Sequence, residues 1–90
     1  MIQGKFPCGR LLATPGVLAA VSRIEINRAI GQHLRGDWGI LCDSDKRLND
    51  QALKDGDRLL SAYEDRNGRK FWIITEADRS ATTVLLPEEY

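Results

Sequence analysis

Little in this chain points to a specialised chemistry. Its 90 residues include one histidine, His33, and two cysteines, Cys8 and Cys42, 34 positions apart. No close pair of His or Cys ligands marks a zinc site, so no metal is expected, and in a reducing compartment the two thiols are expected to stay free. Three prolines are too few for a polyproline or collagen-like chain. No run approaches the ~20 apolar residues of a membrane helix. The N-terminus lacks the charged, apolar, small-residue order of a signal peptide, so a cytoplasmic protein without membrane contact is the expectation. Thirteen basic and thirteen acidic residues cancel, which removes the general attraction to nucleic acid or anionic lipid. No glycine-rich loop opens a βαβ unit, so no nucleotide cofactor is expected. The length also excludes a barrel or a two-half dinucleotide fold.

What remains is an ordinary globular composition, 42 % hydrophobic and 29 % charged. Ninety residues bury roughly 64 % of their unfolded surface, enough for one core, so residues 1–90 read as a single domain. Charge is unevenly placed. Residues 1–35 carry five basic groups against Glu25 alone, and the remaining 55 residues hold 8 basic and 12 acidic groups.

The pattern of apolar residues predicts an α+β fold: two or three short helices on a three- to four-stranded antiparallel sheet that ends in a β-meander. Residues 10–13 form a short apolar run closed by Thr14 and Pro15, the signature of a helix N-cap with proline in the first turn. A strand then feeds a helix over 15–22, with Val17, Leu18 and Val21 inward. Ile26, Ile30 and Leu34 predict a second helix over 25–35 that Gly36 ends. Asp43 or Ser44 caps a third, thinly apolar helix that stops at Gly56. From Arg58 onward alternation replaces helical spacing, with strands over 58–65, 70–75 and 82–86. Asn67-Gly68 predicts a two-residue hairpin, setting Asp65 opposite Lys70 and Tyr63 opposite Trp72. A second loop, Ala77 to Ser80, pairs Ile73 with Val84 and Trp72 with Leu85. In this register Leu60, Ala62, Phe71, Ile73, Val84 and Leu86 share the face that helices cover. Leu59, Ser61, Tyr63, Trp72, Ile74, Thr83 and Leu85 share the other, which needs a lid or a partner.

Several stretches, His33, Arg35 to Gly39, Arg58 to Tyr63 and above all Trp72-Ile73-Ile74-Thr75-Glu76-Ala77-Asp78-Arg79-Ser80, continued to Tyr90, resemble a family of short bacterial proteins. That family is carried on plasmids, integrative elements and prophages and is often labelled plasmid-related. The resemblance covers nearly the whole chain and implies an accessory role on a mobile element, without a defined activity. Some relatives carry the name of a restriction-system methylation subunit, but this chain has neither the length nor the glycine-rich loop for methyl transfer.

Residue chemistry adds three function classes. A small protein-interaction or regulatory module, self-associating or bound to another protein, is favoured by groups suited to contacts: Trp38 in its glycine-flanked loop with Arg35 and Asp37, the Tyr63 and Trp72 face, and Arg79 beside Asp78 in the second turn. Arg79 is also a candidate for a buried ion pair. A nucleic-acid-binding accessory protein would use Arg23, Arg28 and Arg35 on phosphates. A compact toxin-like hydrolase would need His33 with Cys42, or Glu76 with Asp78. The first pair lacks an orienting third group and the second lacks burial, so an enzyme is the less favoured class.

Overall fold

Thr14 and Pro15 turn the chain from a strand into a helix. In the computed structural model, which describes residues 4–90, β1 (Arg10–Ala13) leads directly into α1 (Pro15–Ala20). The Thr14 hydroxyl accepts the Val17 N–H at 3.2 Å. Ser22 caps α2 (Arg23–Leu34) in the same manner through the Glu25 N–H. Gly36, at φ +78°, follows its end. Then come α3 (Asp43–Asp55), β2 (Leu59–Glu64), β3 (Lys70–Thr75) and β4 (Ala81–Leu85), with a 3-10 turn at Pro87–Glu89. Cys42 occupies the N-cap of α3 with no side-chain capping bond to a backbone N–H, in place of the expected Asp43 or Ser44.

The four strands lie in the order β1-β4-β3-β2. The sheet is mixed, not wholly antiparallel, because β1 pairs parallel with β4, Arg10 against Ala81 and Ala13 against Val84. Parallel neighbours need a long crossover, and everything from α1 to β3 supplies it. The second hairpin has the predicted register, Ile73 against Val84 and Trp72 against Leu85.

The first hairpin is shifted by one residue. Tyr63 faces Phe71 and Glu64 faces Lys70. A two-residue turn of the expected type requires positive φ at both central positions, whereas only Gly68 has it, at +82°. The loop is instead three residues long. The Gly68 N–H donates to the Asp65 carbonyl at 3.0 Å, and the Asp65 N–H donates to the Arg69 carbonyl at 2.9 Å. The Asp65 carboxylate holds the loop by accepting the Asn67 and Arg69 N–H groups at 2.9 and 2.8 Å. A two-residue turn at Asn67-Gly68 would set Arg66 opposite Arg69, and the longer loop avoids that like-charge pair.

Because strand side chains alternate, this one-residue difference exchanges every β2 residue between faces. Leu59, Ser61 and Tyr63 point to the helical side with Phe71, Ile73, Thr75, Thr82 and Val84, all buried. Leu60 and Ala62 join Trp72, Ile74, Thr83 and Leu85 on the other. Val17, Val21, Ile26, Ala29, Tyr63, Phe71, Ile73, Val84 and Leu86 form the main core. Phe6, Trp38 and Leu59 form a second cluster with Leu34, Leu41, Ala52 and Leu53, which joins α3 to the sheet. The fully inward stripe of α2 is Ile26, Ala29 and His33, while Ile30 and Leu34 are half-buried.

Candidate functional site: sheet edges and a buried histidine relay

The single histidine lies in the interior, 0 % exposed. Phe6 meets its ring edge-on at 5.3 Å between centroids and Trp38 at 5.6 Å. Its two nitrogens bond to hydroxyls from two strands, Nδ1 to Ser61 and Nε2 to Thr75 at 2.8 Å. Thr75 continues to Thr82 at 2.8 Å, and the Thr82 hydroxyl donates to the Cys8 carbonyl at 2.7 Å. A carbonyl can only accept, so this end sets the direction of the whole chain. Thr82 gives its proton to Cys8 and accepts from Thr75. Thr75 then accepts from His33 Nε2–H, which leaves Nδ1 as the acceptor for Ser61. With the imidazole neutral, every bond of the relay is satisfied in this direction. Burial, reinforced by the Arg79 guanidinium, holds the His33 pKa at about 4 instead of its ordinary 6.5.

A serine hydroxyl on a histidine nitrogen is the arrangement of a nucleophile and its base. Here Ser61 is also 0 % exposed, so a substrate has no route to it, and the relay joins α2 to three strands and the N-terminal segment. Cys42 is exposed at the N-cap of α3, hydrogen-bonded to Ser44 at 3.2 Å, while the enclosed imidazole bonds to Ser61 and Thr75. Both cysteines are free. Among the described residues, no three His, Cys, Asp or Glu side chains converge as metal ligands.

The residues singled out for contacts fall in different environments. Trp38 is 2 % exposed, its indole N–H donating to Asp50 at 2.9 Å. Tyr63 is 5 % exposed, its hydroxyl donating to the Asp37 carbonyl at 2.7 Å. Both are interior groups, and Tyr63 is separated from Trp72 by the thickness of the sheet. Trp72 is half-buried against Tyr90, whose ring meets it at 5.7 Å and carries the Arg58 guanidinium 5.2 Å from its centre. Arg35 and Asp37 are exposed. The Asp37 carboxyl is held below its usual pKa by the Gln32 amide and the Gly39 N–H. Asp78 bends the second turn by accepting the Ser80 N–H at 3.0 Å.

Among the described residues Arg79 forms no ion pair. Its backbone takes φ +62°, and its guanidinium donates to the carbonyls of Asp57, Glu76 and Ala77 at 2.7 to 3.2 Å while lying 5.7 Å from the Phe6 ring centre. It therefore ties the second turn to the chain entering β2. Glu76 contributes a carbonyl to this contact and not its carboxylate.

Arg23, Arg28 and Arg35 are all exposed, but at about 100° per residue Arg23 points some 120–140° away from the other two, so α2 does not gather them into one basic stripe. Next to Arg28 a cleft of about 300 Å³ opens between α2 and β2, lined also by Glu25, Gln32, Asp37, Tyr63 and Glu64. Two of its polar groups pair with each other, Gln32 donating to Asp37 at 3.0 Å, and Glu25 accepts the N–H of Arg66 at 2.9 Å.

The clearest asymmetry lies at the sheet edges. At β2 the outward backbone is covered. The Asn49 side chain accepts the Leu60 N–H at 3.2 Å and donates to the Leu60 carbonyl. Ala62 donates to the Trp38 carbonyl at 3.3 Å and accepts the Ile40 N–H at 2.8 Å. Gly39 makes this approach possible, because at φ +77° a Cβ there would stand 1.9 Å from the Ala62 carbonyl oxygen.

At β1 all four residues are exposed. Leu11 is 52 % and Leu12 40 % exposed, and Leu18 on α1 is 44 % exposed. These three border a groove of about 260 Å³ with Arg23, Ile26, Asn27 and Ile30 of α2 on its wall. Sequence reasoning missed this site because it took residues 10–13 as a strand without asking which neighbour, if any, covered each side. Two consecutive leucines in a four-residue strand were the available signal: alternation puts them on opposite faces, so burying both requires cover on both faces. Among the described residues no helix is long and apolar enough to cross a membrane. No family model, curated protein or solved structure matches this chain.

Proposed function

We propose that the chain is a small protein-interaction module that docks through the free edge of β1, the accessory role implied by its resemblance to proteins of mobile elements. The observation that carries this reading is the contrast between the two edges: β2 is covered by Asn49 and the Trp38 to Ile40 segment, while β1 presents two leucines beside an apolar groove. An uncovered strand supplies backbone donors and acceptors to an added strand, and the leucines supply the apolar contact. Neither a hydrolase nor a nucleic-acid binder has comparable support, since the Ser61 and His33 pair is enclosed and the arginines of α2 diverge.

Site-specific photo-crosslinking from position 12 in living cells tests the reading. A discrete polypeptide adduct is expected from position 12 and not from position 48, where Leu48 on α3 is even more exposed, at 67 %. No adduct from position 12, or equal adducts from both, would reject β1 as the docking edge.

A further inference from the structure

Resting on that reading of β1, we infer that the occupant of the edge is a second copy of this chain, joined about a two-fold axis that passes beside Leu12. Arg10 and Thr14 donate their N–H groups to the Ser80 and Val84 carbonyls of the neighbouring strand segment, at 2.9 and 3.0 Å. By alternation the N–H and C=O groups of Leu11 and Ala13 point away from the sheet. An antiparallel copy of β1 fits these four groups in one symmetric register, with Leu11 opposite Ala13 of the second copy and Leu12 opposite itself. Four backbone hydrogen bonds form. The two Leu12 side chains meet in the close, non-hydrogen-bonded position on the face away from the helices.

Charge selects the same occupant and the same register. Arg10 has no ion-pair or hydrogen-bond partner for its guanidinium among the described residues. In this register it stands opposite Thr14 of the second copy. The Thr14 hydroxyl donates to the Glu89 carboxylate at 2.6 Å, so each Arg10 meets the Glu89 held beside the other strand. That hydroxyl, together with the Leu86 N–H, keeps Glu89 below the usual carboxylate pKa and therefore ionised. The two Arg10 side chains themselves lie four residues apart along the seam, roughly 13 Å, beyond the ~8 Å screening length at physiological salt. The apolar contact thus sits at the centre and two opposite-charge contacts at the ends. The result is one continuous eight-stranded sheet with the two covered β2 edges outermost. The contact is at the small end of specific interfaces, so dissociation on the order of micromolar is expected.

Sedimentation equilibrium of the purified full chain tests this. The wild type should be dimeric at about 100 μM, and Leu12→Arg should weaken the dimer by about tenfold or more. Arg10→Glu and Glu89→Lys should each weaken it similarly, since each places like charges at both ends of the seam. Mixed in equal amounts, these two variants should form a heterodimer as tight as the wild type. The introduced carboxylate then meets the introduced ammonium at one end of the seam, and the native Arg10 meets the native Glu89 at the other. Circular dichroism confirms that each variant is folded, and Arg10→Glu and Leu12→Arg alter only exposed side chains. A wild type that stays monomeric at 1 mM, a dimer indifferent to Leu12→Arg, or a mixture that fails to re-form would overturn the inference. If the wild type is monomeric yet position 12 still crosslinks to a different polypeptide, the second copy is rejected and the docking edge stands. If it is monomeric and no adduct forms, both are rejected.

Discussion

Strands β2 and β1 close the same sheet at opposite ends, and they differ in what meets their outer backbone. Leu60 and Ala62 on β2 bond to a side chain of α3 and to the Trp38 to Ile40 segment, and behind them lies the polar relay of His33 with Ser61, Thr75 and Thr82. Among the described residues, the outward backbone of Leu11 and Ala13 on β1 has no hydrogen-bond partner, and the strand borders a groove. The covered end should therefore carry the stability of the domain, and the open end its contacts. An exposed strand edge is a hazard unless it is used, which makes the contrast informative about function.

The largest effect should come from the covered end. Trp38→Ala removes a buried indole from between Phe6, His33 and Leu59 and leaves Asp50 without its donor, costing about 3–5 kcal/mol. Chemical denaturation measures it, and a loss below about 1 kcal/mol would mean that this end is not a core.

Acid should act at the same end with somewhat smaller effect. The unfolded chain protonates its imidazole near 6.5, whereas the folded chain resists until about 4. Between these values the unfolded state binds more protons, so the contribution is complete above pH 6.5 and is lost as pH falls to about 4. The loss from this residue is about 3 kcal/mol. Proton NMR of the ring gives the direct check: His33 should remain neutral at pH 5, with Ser61 donating to Nδ1. A ring that titrates near 6.5 would contradict the enclosed, neutral imidazole.

Asn49→Ala should cost about 1–3 kcal/mol, because the Leu60 N–H and C=O lose their partner in a half-buried position. Faster amide exchange at Leu60, with Ile73 unchanged, would localise the effect to the edge. Smallest of all, Leu11→Lys in dilute protein should change stability by no more than about 0.5 kcal/mol, as expected for an exposed position away from caps and core. A cost like that of Trp38→Ala would show that β1 is covered in the folded monomer.

Much of the architecture was legible from local signals. The cap at Thr14, the stops at Gly36 and Gly56, the three helices and the second hairpin all depend on chemistry within a few residues. The first hairpin shows where such signals stop. Asn67-Gly68 marks a turn, but a two-residue and a three-residue loop both satisfy it, and the choice rests on the Asp65 carboxylate bonding to two N–H groups beyond it. That single residue of register moved Tyr63 into the core and took Leu60 and Ala62 out. It also separated Tyr63 from the Trp72 surface on which an aromatic contact was expected.

The candidate site was less legible, because each part of it depends on which segments become neighbours. His33 read as a histidine near a helix end, and its partners Ser61, Thr75 and Thr82 lie 28 to 49 positions away in the chain. Arg79 suggested a salt bridge, yet three carbonyl oxygens meet it where the second turn comes against residue 57. From sequence alone came the elements, their order and the lack of a long apolar run or a glycine-rich loop, since propensity, capping and apolar period act over one or two turns. Tertiary structure alone decided the parallel seating of β1, the face of β2 and the difference between the two edges. Those depend on hydrogen bonds and buried surface between residues far apart in sequence, for which no local pattern carries the information.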